Sequence, residues 1–211
     1  MRALIVLGGD APGAALLERC MKDADLVIAA DRGLEAFDAA GLTPDLAIGD
    51  MDSVPHDVLA RFESCLPQQR LSCIKDDTDG EAALNLAVSR GAKEITFLGA
   101  LGGRLDHALA NLMLLVRAHK LGAFAQIVDE RVRIFRVDGR AEIAGGKGDT
   151  VSLLPLGQAQ GVTISGFFYP LEDYTLRNDQ TLGMSNVITG EIAVVTVSAG
   201  DLLLFHHYGG C

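Results

Sequence analysis

Short runs of aliphatic and β-branched residues alternate with Ala- and Leu-rich stretches over the first 130 residues. The apolar runs are ALIVLG, DLVIAAD, DLAIGD, LSCI, EITFLG and FAQIVD. Between them the spacing predicts helices at Gly13 to Met21, Leu34 to Ala40, His56 to Ser64, Gly80 to Arg90 and His107 to Leu121. Strands that alternate with helices are typical of crossover units, so this part predicts a doubly wound α/β domain with a parallel sheet.

The pattern changes after about Arg131 to period-two alternation without a helical stretch. The new runs are RVRIFRV, TVSLLPL, GVTISGFFY and IAVVTVSAGDLLLF, separated by Gly, Asp and Asn turns. Such alternation predicts a small antiparallel β domain, either a sandwich or a barrel. We therefore expect two domains, 1–130 and 131–211.

Composition narrows the classes of partner. The 211 residues include 18 Lys and Arg against 28 Asp and Glu, which gives a net charge of -10. This charge has the wrong sign for holding a nucleic-acid backbone, so we expect no nucleic-acid partner. An anion such as ATP would have to be held locally, by backbone N–H groups, a few basic side chains and a divalent cation.

The cysteines and the apolar runs bear on cofactors and location. Four cysteines, Cys20, Cys65, Cys73 and Cys211, lack CxxC spacing and a His cluster, so neither a zinc site nor a redox motif is expected. The apolar run that follows Met1 is too short for a signal peptide, and no run could span a bilayer. We expect a cytoplasmic protein with no membrane partner.

Polar residues follow the predicted strands at five places, where an open α/β sheet binds its ligands. The five endings are residues 8–10, 31–33, 49–53, 76–79 and 99–107. A single Asp or Gly in such a position is more often a helix cap or a turn residue. Several carboxylates on one rim are different, because their mutual repulsion is costly unless a cation neutralises it.

The GDMDS segment is the most specific of these endings. Asp50 and Asp52 are two residues apart, so in extended backbone both carboxylates point to one side, as ligands of a hard cation should. Asp79 is expected to cap the following helix and to present an oxygen to the same site. Asp76 and Asp77 fit either this site or a solvated loop. Mg²⁺ is favoured over Zn²⁺, because the ligands are carboxylates.

The GALGGRLDHALANL segment predicts a phosphate-binding turn that leads into a helix. Gly102 and Gly103 allow close backbone approach, and Arg104 offers a planar guanidinium at the helix N-terminus. The segment lacks the GKS or GKT of a Walker A loop, and the GGD at residues 8–10 lacks the spacing of a dinucleotide fingerprint. His107 and Asn111 are four residues apart on one helix face, where both could meet a nucleotide. A lone His at a helix start is more often a surface residue.

Together, five motifs resemble the ordered set of the bacterial thiamine pyrophosphokinase family. They are ADRG at 30–33, GDMDS at 49–53, DDTD at 76–79, GGRLDH at 102–107 and YPLED with TLGMSN between 169 and 186. The resemblance extends over nearly the whole chain. It implies an α/β domain, a C-terminal β-sandwich and a homodimer with a shared active site. It also implies transfer of pyrophosphate from ATP to thiamine with release of AMP.

The resemblance also implies roles for individual residues. Asp50, Asp52 and Asp79 would be Mg²⁺ ligands, with Asp31 and Asp76 lining the same catalytic site. ATP would be held by the residues Gly102, Gly103, Arg104, Asp106, His107 and Asn111. Ser185 and Asn186 would reach the thiamine or the nucleotide.

Two departures from the family pattern stand out. Gly80 occupies a position where many relatives carry a hydroxyl residue, and the chain has no Trp. Aromatic stacking on thiamine would have to come from Tyr169 or Tyr174, or be absent.

Two other functions fit the same carboxylate rim. A metal-dependent phosphohydrolase would use it to activate water, and a non-catalytic thiamine or nucleotide sensor would bind a ligand without turnover. If the chain is a thiamine pyrophosphokinase, Asp76 or Asp31 could accept the proton of the thiamine hydroxyl, and the sequence leaves that choice open.

Overall fold

The computed structural model describes residues 1–62, 66, 68–70 and 78–209. The chain divides into two compact units, Met1–Glu130 (unit 1) and Arg131–Cys211 (unit 2). In the described part of the chain no helix is long and apolar enough to cross a membrane.

Unit 1 has a parallel sheet with helices between its strands. The strands are β1 (Arg2–Val6), β2 (Leu26–Ala30), β3 (Leu46–Gly49), β4 (Gln68–Arg70), β5 (Glu94–Leu98) and β6 (Phe124–Val128). The helices are α1 (Ala14–Lys22), α2 (Gly33–Ala40), α3 (His56–Phe62), α4 (Asp79–Ser89) and α5 (Leu105–Lys120). The strand order is β4-β3-β2-β1-β5-β6, and every neighbouring pair is parallel.

Both faces of this sheet are buried. Alternate side chains such as Val6 and Val27 form a core with Leu17, Phe37 and Val58 from helices α1, α2 and α3. Ile5 and Ile28 point to the other face and are also fully buried, and α4 lies across β1, β2 and β3. Helices on both faces confirm the predicted doubly wound α/β fold, and they explain why the strands are nearly continuous apolar runs.

The sheet has a topological switch point at β1. The chain passes from β1 outward through β2 and β3 to β4, and then returns to place β5 on the other side of β1. The carboxyl ends of β1 and β5 therefore border a crevice, which is where open α/β sheets bind ligands.

Several element boundaries differ from the sequence prediction. Helix α5 begins at Leu105, two residues before the predicted start at His107. The cap of α4 is Thr78 rather than Asp79, because the Thr78 hydroxyl oxygen accepts a hydrogen bond from the Glu81 amide at 3.2 Å. The predicted strand LSCI, at residues 71–74, lies outside the described residues.

Unit 2 consists of antiparallel strands. They are β7 (Val132–Arg136), β8 (Arg140–Ala144), β9 (Thr150–Ser165), β10 (Leu171–Arg177), β11 (Asn186–Val187), β12 (Ile192–Thr196) and β13 (Ala199–His207). The first half of β9 pairs with β11 and β13, and its second half pairs with β10 and β12. Residues such as Leu153, Ile164, Val195 and Leu204 form the enclosed core. This arrangement confirms the antiparallel β fold expected after the α/β region.

Strand β9 explains why the sequence pattern suggested two strands in its place. It contains both the TVSLLPL run and the start of the GVTISGFFY run. Gly157 and Gly161 have positive φ angles of 90° and 63°, and they let one strand leave the first set of partners and join the second. The IAVVTVSAGDLLLF run is instead divided into β12 and β13.

The contact between α2 and β1 gives a stability prediction. A Cβ atom on Gly33 would lie 2.0 Å from the Val6 carbonyl oxygen, which belongs to backbone and cannot rotate away. We expect Gly33→Ala to lower the free energy of unfolding by on the order of 3 kcal/mol, measured by urea denaturation. Gly41→Ala is the control, since Gly41 has a φ of 66° and open space around it, so it costs only about 1 kcal/mol of backbone strain. Equal losses would contradict the steric explanation.

Candidate active site

A crevice of about 620 Å³ opens at the switch point of unit 1. It is lined by Leu7, Gly8, Gly9, Ala30, Asp31, Arg32, Asp50, Ser53, Thr78, Asp79, Gly80, Ala100, Gly102, Gly103, Arg104, His107, Ala110 and Asn111. Its size is that of a small-molecule site. The endings of β1, β2, β3 and β5 all contribute to it, together with the first turns of α4 and α5.

Two backbone hydrogen bonds hold the loops after β1 and β5 together. The Gly9 amide donates to the Gly99 carbonyl at 2.8 Å, and the Asp10 amide donates to the Leu101 carbonyl at 2.7 Å. A Cβ atom on Gly9 would lie 2.3 Å from the Leu101 carbonyl oxygen. Glycine is required there so that the two loops can form one wall of the crevice.

Three carboxylates converge on the same crevice. One oxygen from each of Asp31, Asp50 and Asp52 lies within 4.8 Å of the others. Asp31 follows β2 with a left-handed φ of 45°, which Asp tolerates better than most residues. Three of the five predicted catalytic carboxylates therefore meet at the ends of adjacent strands.

The route by which Asp50 and Asp52 converge differs from the prediction. The expected geometry was an extended strand, but β3 ends at Gly49 and Met51 adopts a left-handed φ of 63°. The Asp52 amide donates to Asp50 Oδ1 at 3.1 Å, which closes a tight turn. The turn, rather than strand alternation, brings the two side chains together.

Burial and like charge make the ionised cluster costly. Burial raises the pKa of Asp31, the Arg32 amide lowers it, and the nearby charges of Asp50 and Asp52 raise it further. Burial also raises the pKa of Asp79, and the charges of Asp31, Asp50 and Asp52 add to that rise. Asp79 therefore lies in the field of the cluster, although it is not one of the three carboxylates in mutual contact distance.

The cluster has the chemistry of a site for a hard divalent cation. Within the described ranges, Asp31 Oδ1 is a buried oxygen without a hydrogen-bond partner, which is unusual unless a bound ion or an ordered water completes its environment. Carboxylate oxygens are the ligands that Mg²⁺ prefers. Asp76, the other predicted catalytic carboxylate, lies outside the described residues.

The glycine-rich turn after β5 forms another part of the crevice. Gly102 and Gly103 have positive φ angles of 78° and 62°. A Cβ atom on Gly102 would lie 2.0 Å from Asp10 Cγ and would displace that carboxylate, and the positive φ also favours glycine here. Arg104 is the N-cap residue of α5 and lines the crevice.

The predicted nucleotide-binding residues on α5 divide into two groups. His107 and Asn111 line the crevice, and Asn111 Nδ2 also donates to the Ala100 carbonyl at 2.8 Å. Asp106 does not line it. Its carboxylate contacts Arg104 at 2.6 Å, and this contact lowers the pKa of Asp106 to about 2.

Three residues of the crevice lie within the predicted strand endings, although the sequence motifs implied no role for any of them. Arg32, Ser53 and Thr78 all line the crevice. Each is adjacent to a predicted carboxylate at a strand ending, and that adjacency was the available signal. Arg32 Nε lies 2.8 Å from Glu35 Oε1 on the first turn of α2.

In unit 2, the side chain of Asn186 is buried and hydrogen-bonded to the backbone. It is 5% exposed, its Oδ1 accepts hydrogen bonds from the Tyr169 and Val187 amides, and its Nδ2 donates to the Tyr169 carbonyl. The side chain therefore fixes the backbone of Tyr169 instead of pointing to solvent. Ser185 is exposed and has a left-handed φ of 55°.

Exposed apolar side chains lie next to this hydrogen-bonded turn. Phe168 and Tyr169 are 64% and 65% exposed, and their rings meet edge to face with centroids 4.8 Å apart. Val187 is joined to this pair, because the Phe168 amide donates to its carbonyl at 2.9 Å. We call Phe168, Tyr169 and Val187 the unit 2 patch. An exposed patch of this kind is typical of a ligand or protein contact.

Comparison with known proteins gives matches to both units. The family model "Thiamin pyrophosphokinase, catalytic domain" matches residues 17–127, and "Thiamin pyrophosphokinase, vitamin B1 binding domain" matches residues 135–204. The thiamine pyrophosphokinase of Bacillus subtilis (strain 168) is 28% identical over 183 residues, which cover 85% of this chain and 86% of that protein.

Solved structures agree with this match. A crystal structure of thiamine pyrophosphokinase from Bacillus subtilis has a TM-score of 0.86 at 26% identity and covers 99% of both chains. That of thiamin pyrophosphokinase from Geobacillus thermodenitrificans has a TM-score of 0.83 at 29% identity, and the match covers 99% of this chain and 98% of that one.

The carboxylate cluster predicts that one of its members destabilises the cation-free protein. We expect Asp31→Asn to raise the unfolding temperature in EDTA at neutral pH by about 2–4 °C, the effect of ~1 kcal/mol in a chain of this size. Because the folded-state pKa of Asp31 is raised, protonation of this carboxyl favours the folded state at low pH, and that stability is lost as pH rises through the folded-state pKa. The gain from Asn should therefore disappear in acid.

Asp173→Asn is the matched control for this measurement. Asp173 also has a left-handed φ, of 44°, and it is exposed. Its substitution measures the backbone preference of Asn alone. Equal gains at the two positions, or a gain at Asp31 that persists in acid, would contradict the electrostatic explanation.

Proposed function

The chain belongs to the thiamine pyrophosphokinase family, and we propose that the crevice of unit 1 is where it binds ATP with Mg²⁺. It is an enzyme of the thiamine pyrophosphokinase class, and its reaction depends on ATP. The observation that supports the proposed site best is the convergence of Asp31, Asp50 and Asp52 at the switch point of the sheet, where Asp31 Oδ1 is buried and has no hydrogen-bond partner in the described part of the chain.

The proposed reaction is a single displacement at phosphorus. The hydroxyl oxygen of thiamine forms a bond to the β-phosphorus of ATP. The bond from that phosphorus to the oxygen that it shares with the α-phosphorus breaks, and AMP leaves with the electron pair. The hydroxyl proton is released, and the products are thiamine diphosphate and AMP. Such a transfer requires in-line positioning of the acceptor and neutralisation of phosphate charge, without a covalent enzyme intermediate.

We assign the cation site to the carboxylate rim. Asp50 and Asp52 would hold Mg²⁺ together with Asp31, and Asp79 lies beside them in the same electrostatic field. The ligands implied by the sequence were Asp50, Asp52 and Asp79, whereas the three carboxylates that converge are Asp31, Asp50 and Asp52. Asp79 stays a candidate ligand. When bound, Mg²⁺ supplies positive charge that neutralises the transferred phosphates.

We assign polyphosphate binding to the turn that follows β5. The backbone at Gly102 and Gly103 allows close approach of phosphate oxygens, and Arg104 supplies a guanidinium at the start of α5. His107 and Asn111 complete this side of the crevice. Asp106 acts indirectly, by holding the Arg104 guanidinium through its carboxylate.

We assign thiamine binding to unit 2. Ser185 and the unit 2 patch present a hydroxyl and two aromatic rings to solvent, which suits a ligand with flat heteroaromatic rings. Asn186 supports this surface by fixing the Tyr169 backbone. The division of labour would then be ATP chemistry in residues 1–130, and thiamine binding with dimerisation in residues 131–211. A cytoplasmic homodimer is part of this proposal.

The competing hydrolase function uses the same rim, so the reaction itself must be tested. With ATP, Mg²⁺ and thiamine we expect thiamine diphosphate and AMP in equal amounts by mass spectrometry, and no nucleotide cleavage when thiamine is left out. Asp52→Asn should reduce turnover by at least about 100-fold, because an amide lacks the charge that Mg²⁺ selects. Asp57→Asn, at an exposed acid on α3 outside the crevice, should leave turnover unchanged.

Three outcomes would count against the proposal. Release of ADP would mean that a single phosphoryl group moves. Cleavage of ATP without thiamine would favour the hydrolase, and a tight complex without product would favour a sensor. Full turnover by Asp52→Asn would remove the metal assignment.

The shared active site predicts rescue between two inactive variants. Asp52→Ala disables the unit 1 part of the site, and Asn186→Ala disables the unit 2 part by leaving the Tyr169 backbone without its partner. If each site uses unit 1 of one subunit and unit 2 of its partner, refolding an equal mixture gives about half heterodimers, and roughly a quarter of all sites are intact.

Circular dichroism of each variant, and a tagged pull-down that shows mixed dimers, are the controls for this experiment. No recovery of activity in a mixture that contains mixed dimers would mean that each site is built from one chain.

A further inference from the structure

Arg32 occupies a fixed position on the crevice. The Asp31 amide before it donates to the Ile48 carbonyl at 2.9 Å, and its own carbonyl accepts from the Glu35 amide at 3.0 Å. A Cβ atom on Gly8 would lie 2.7 Å from Arg32 Cβ, so the missing side chain of Gly8 provides the space for the Arg32 stem. The backbone and the base of this side chain are therefore held in place between β1 and the carboxylate rim.

The guanidinium of Arg32 is held much more weakly. Arg32 Nε contacts Glu35 Oε1 at 2.8 Å, and the side chains are 54% and 32% exposed. Exposed pairs of this kind contribute little to stability, so the contact is easily exchanged for another anion. The weak Arg32–Glu35 contact does not explain why the backbone of Arg32 is held so firmly on the wall of the crevice.

Arg104 shows the same arrangement on the same crevice. Its guanidinium contacts Asp106, two residues along the chain, at 2.6 Å, and both side chains are exposed. Arg32 and Arg104 both line the crevice, and each is paired with an acidic neighbour on its own helix rather than with the carboxylate rim.

We propose that Arg32 is a phosphate-binding residue that exchanges Glu35 for the pyrophosphoryl group of ATP. The proposal rests on ATP binding in this crevice. Arg32 directly follows Asp31, a member of the proposed cation site, and both residues line the crevice. A cation held there would neutralise charge on the phosphates of ATP. A guanidinium on the wall of this crevice could bind those phosphates once it leaves Glu35, and a polyphosphate is a stronger acceptor than one exposed carboxylate.

The alternative is that Arg32 only balances the charge of Asp31. A phosphate contact on the transferred group strengthens binding of ATP but not of AMP, and it depends on the planar guanidinium. A general balance of charge needs only the positive charge, so Arg32→Lys would then restore ATP binding in full.

The test compares ATP and AMP binding by titration calorimetry with Mg²⁺ present and thiamine absent. We expect Arg32→Gln to weaken ATP binding on the order of 10- to 100-fold, as for loss of a charged hydrogen bond, with AMP binding changed less than about twofold. Arg32→Lys should recover part of the loss, since an ammonium keeps the charge without the planar fork. Arg61→Gln is the matched control, because Arg61 is 50% exposed, pairs with acids and does not line the crevice.

Glu35→Gln tests the exchange itself. Removing the competing carboxylate should strengthen ATP binding by about twofold when Arg32 is present, and should have no effect in the Arg32→Gln background. Unchanged ATP affinity in Arg32→Gln, or equal losses for ATP and AMP, would overturn the proposal. Its failure is distinct from failure of the proposed function, because synthesis of thiamine diphosphate by the wild-type protein is measured separately.

Discussion

Close backbone approach at the end of β1 is the constraint on which the crevice depends. A Cβ atom on Gly8, Gly9 or Gly33 would lie 2.7, 2.3 or 2.0 Å from a neighbouring atom, and these neighbours belong to three different segments. The loop after β1 is thereby pressed against the start of α2 and against the loop after β5. Side chains from separate parts of the sequence reach one crevice because these three positions carry no side chain.

That convergence creates an electrostatic problem. Asp31 has a left-handed backbone, two carboxylates nearby and a buried oxygen without a hydrogen-bond partner among the described residues. Each of these features is unfavourable in the folded protein without a cation. Folding of the rest of unit 1 imposes the arrangement, since the large buried core around β1 and β2 outweighs a few unfavourable contacts at its rim. A divalent cation that binds the folded state would offset this cost.

The sequence was sufficient for the fold class and for the location of the site. Buried strands that end in Asp or Gly carry both signals at once, because periodicity defines the strand and the following polar residue marks the ligand-binding edge. It was insufficient where the answer depends on backbone angles or on which hydrogen bonds are already made. A turn with a left-handed Met51 replaces the expected extended geometry at GDMDS. The side-chain amide of Asn186 donates to the Tyr169 carbonyl and is not available to a ligand. A motif names a residue type but does not show whether its polar atoms are free.

The acidity of the chain limits how it can attract an anionic substrate. A net charge of -10 repels a polyphosphate at long range, and the carboxylate rim repels it at short range. The guanidinium groups of Arg32 and Arg104 are themselves paired with Glu35 and Asp106, so they add little long-range attraction. Affinity for ATP must therefore arise after contact. It would come from exchange of a short-range ion pair such as Arg32 with Glu35, and from the charge of a divalent cation held by the carboxylate rim. Since salt screens charges separated by more than about 10 Å far better than groups in contact, physiological ionic strength reduces the repulsion more than the binding.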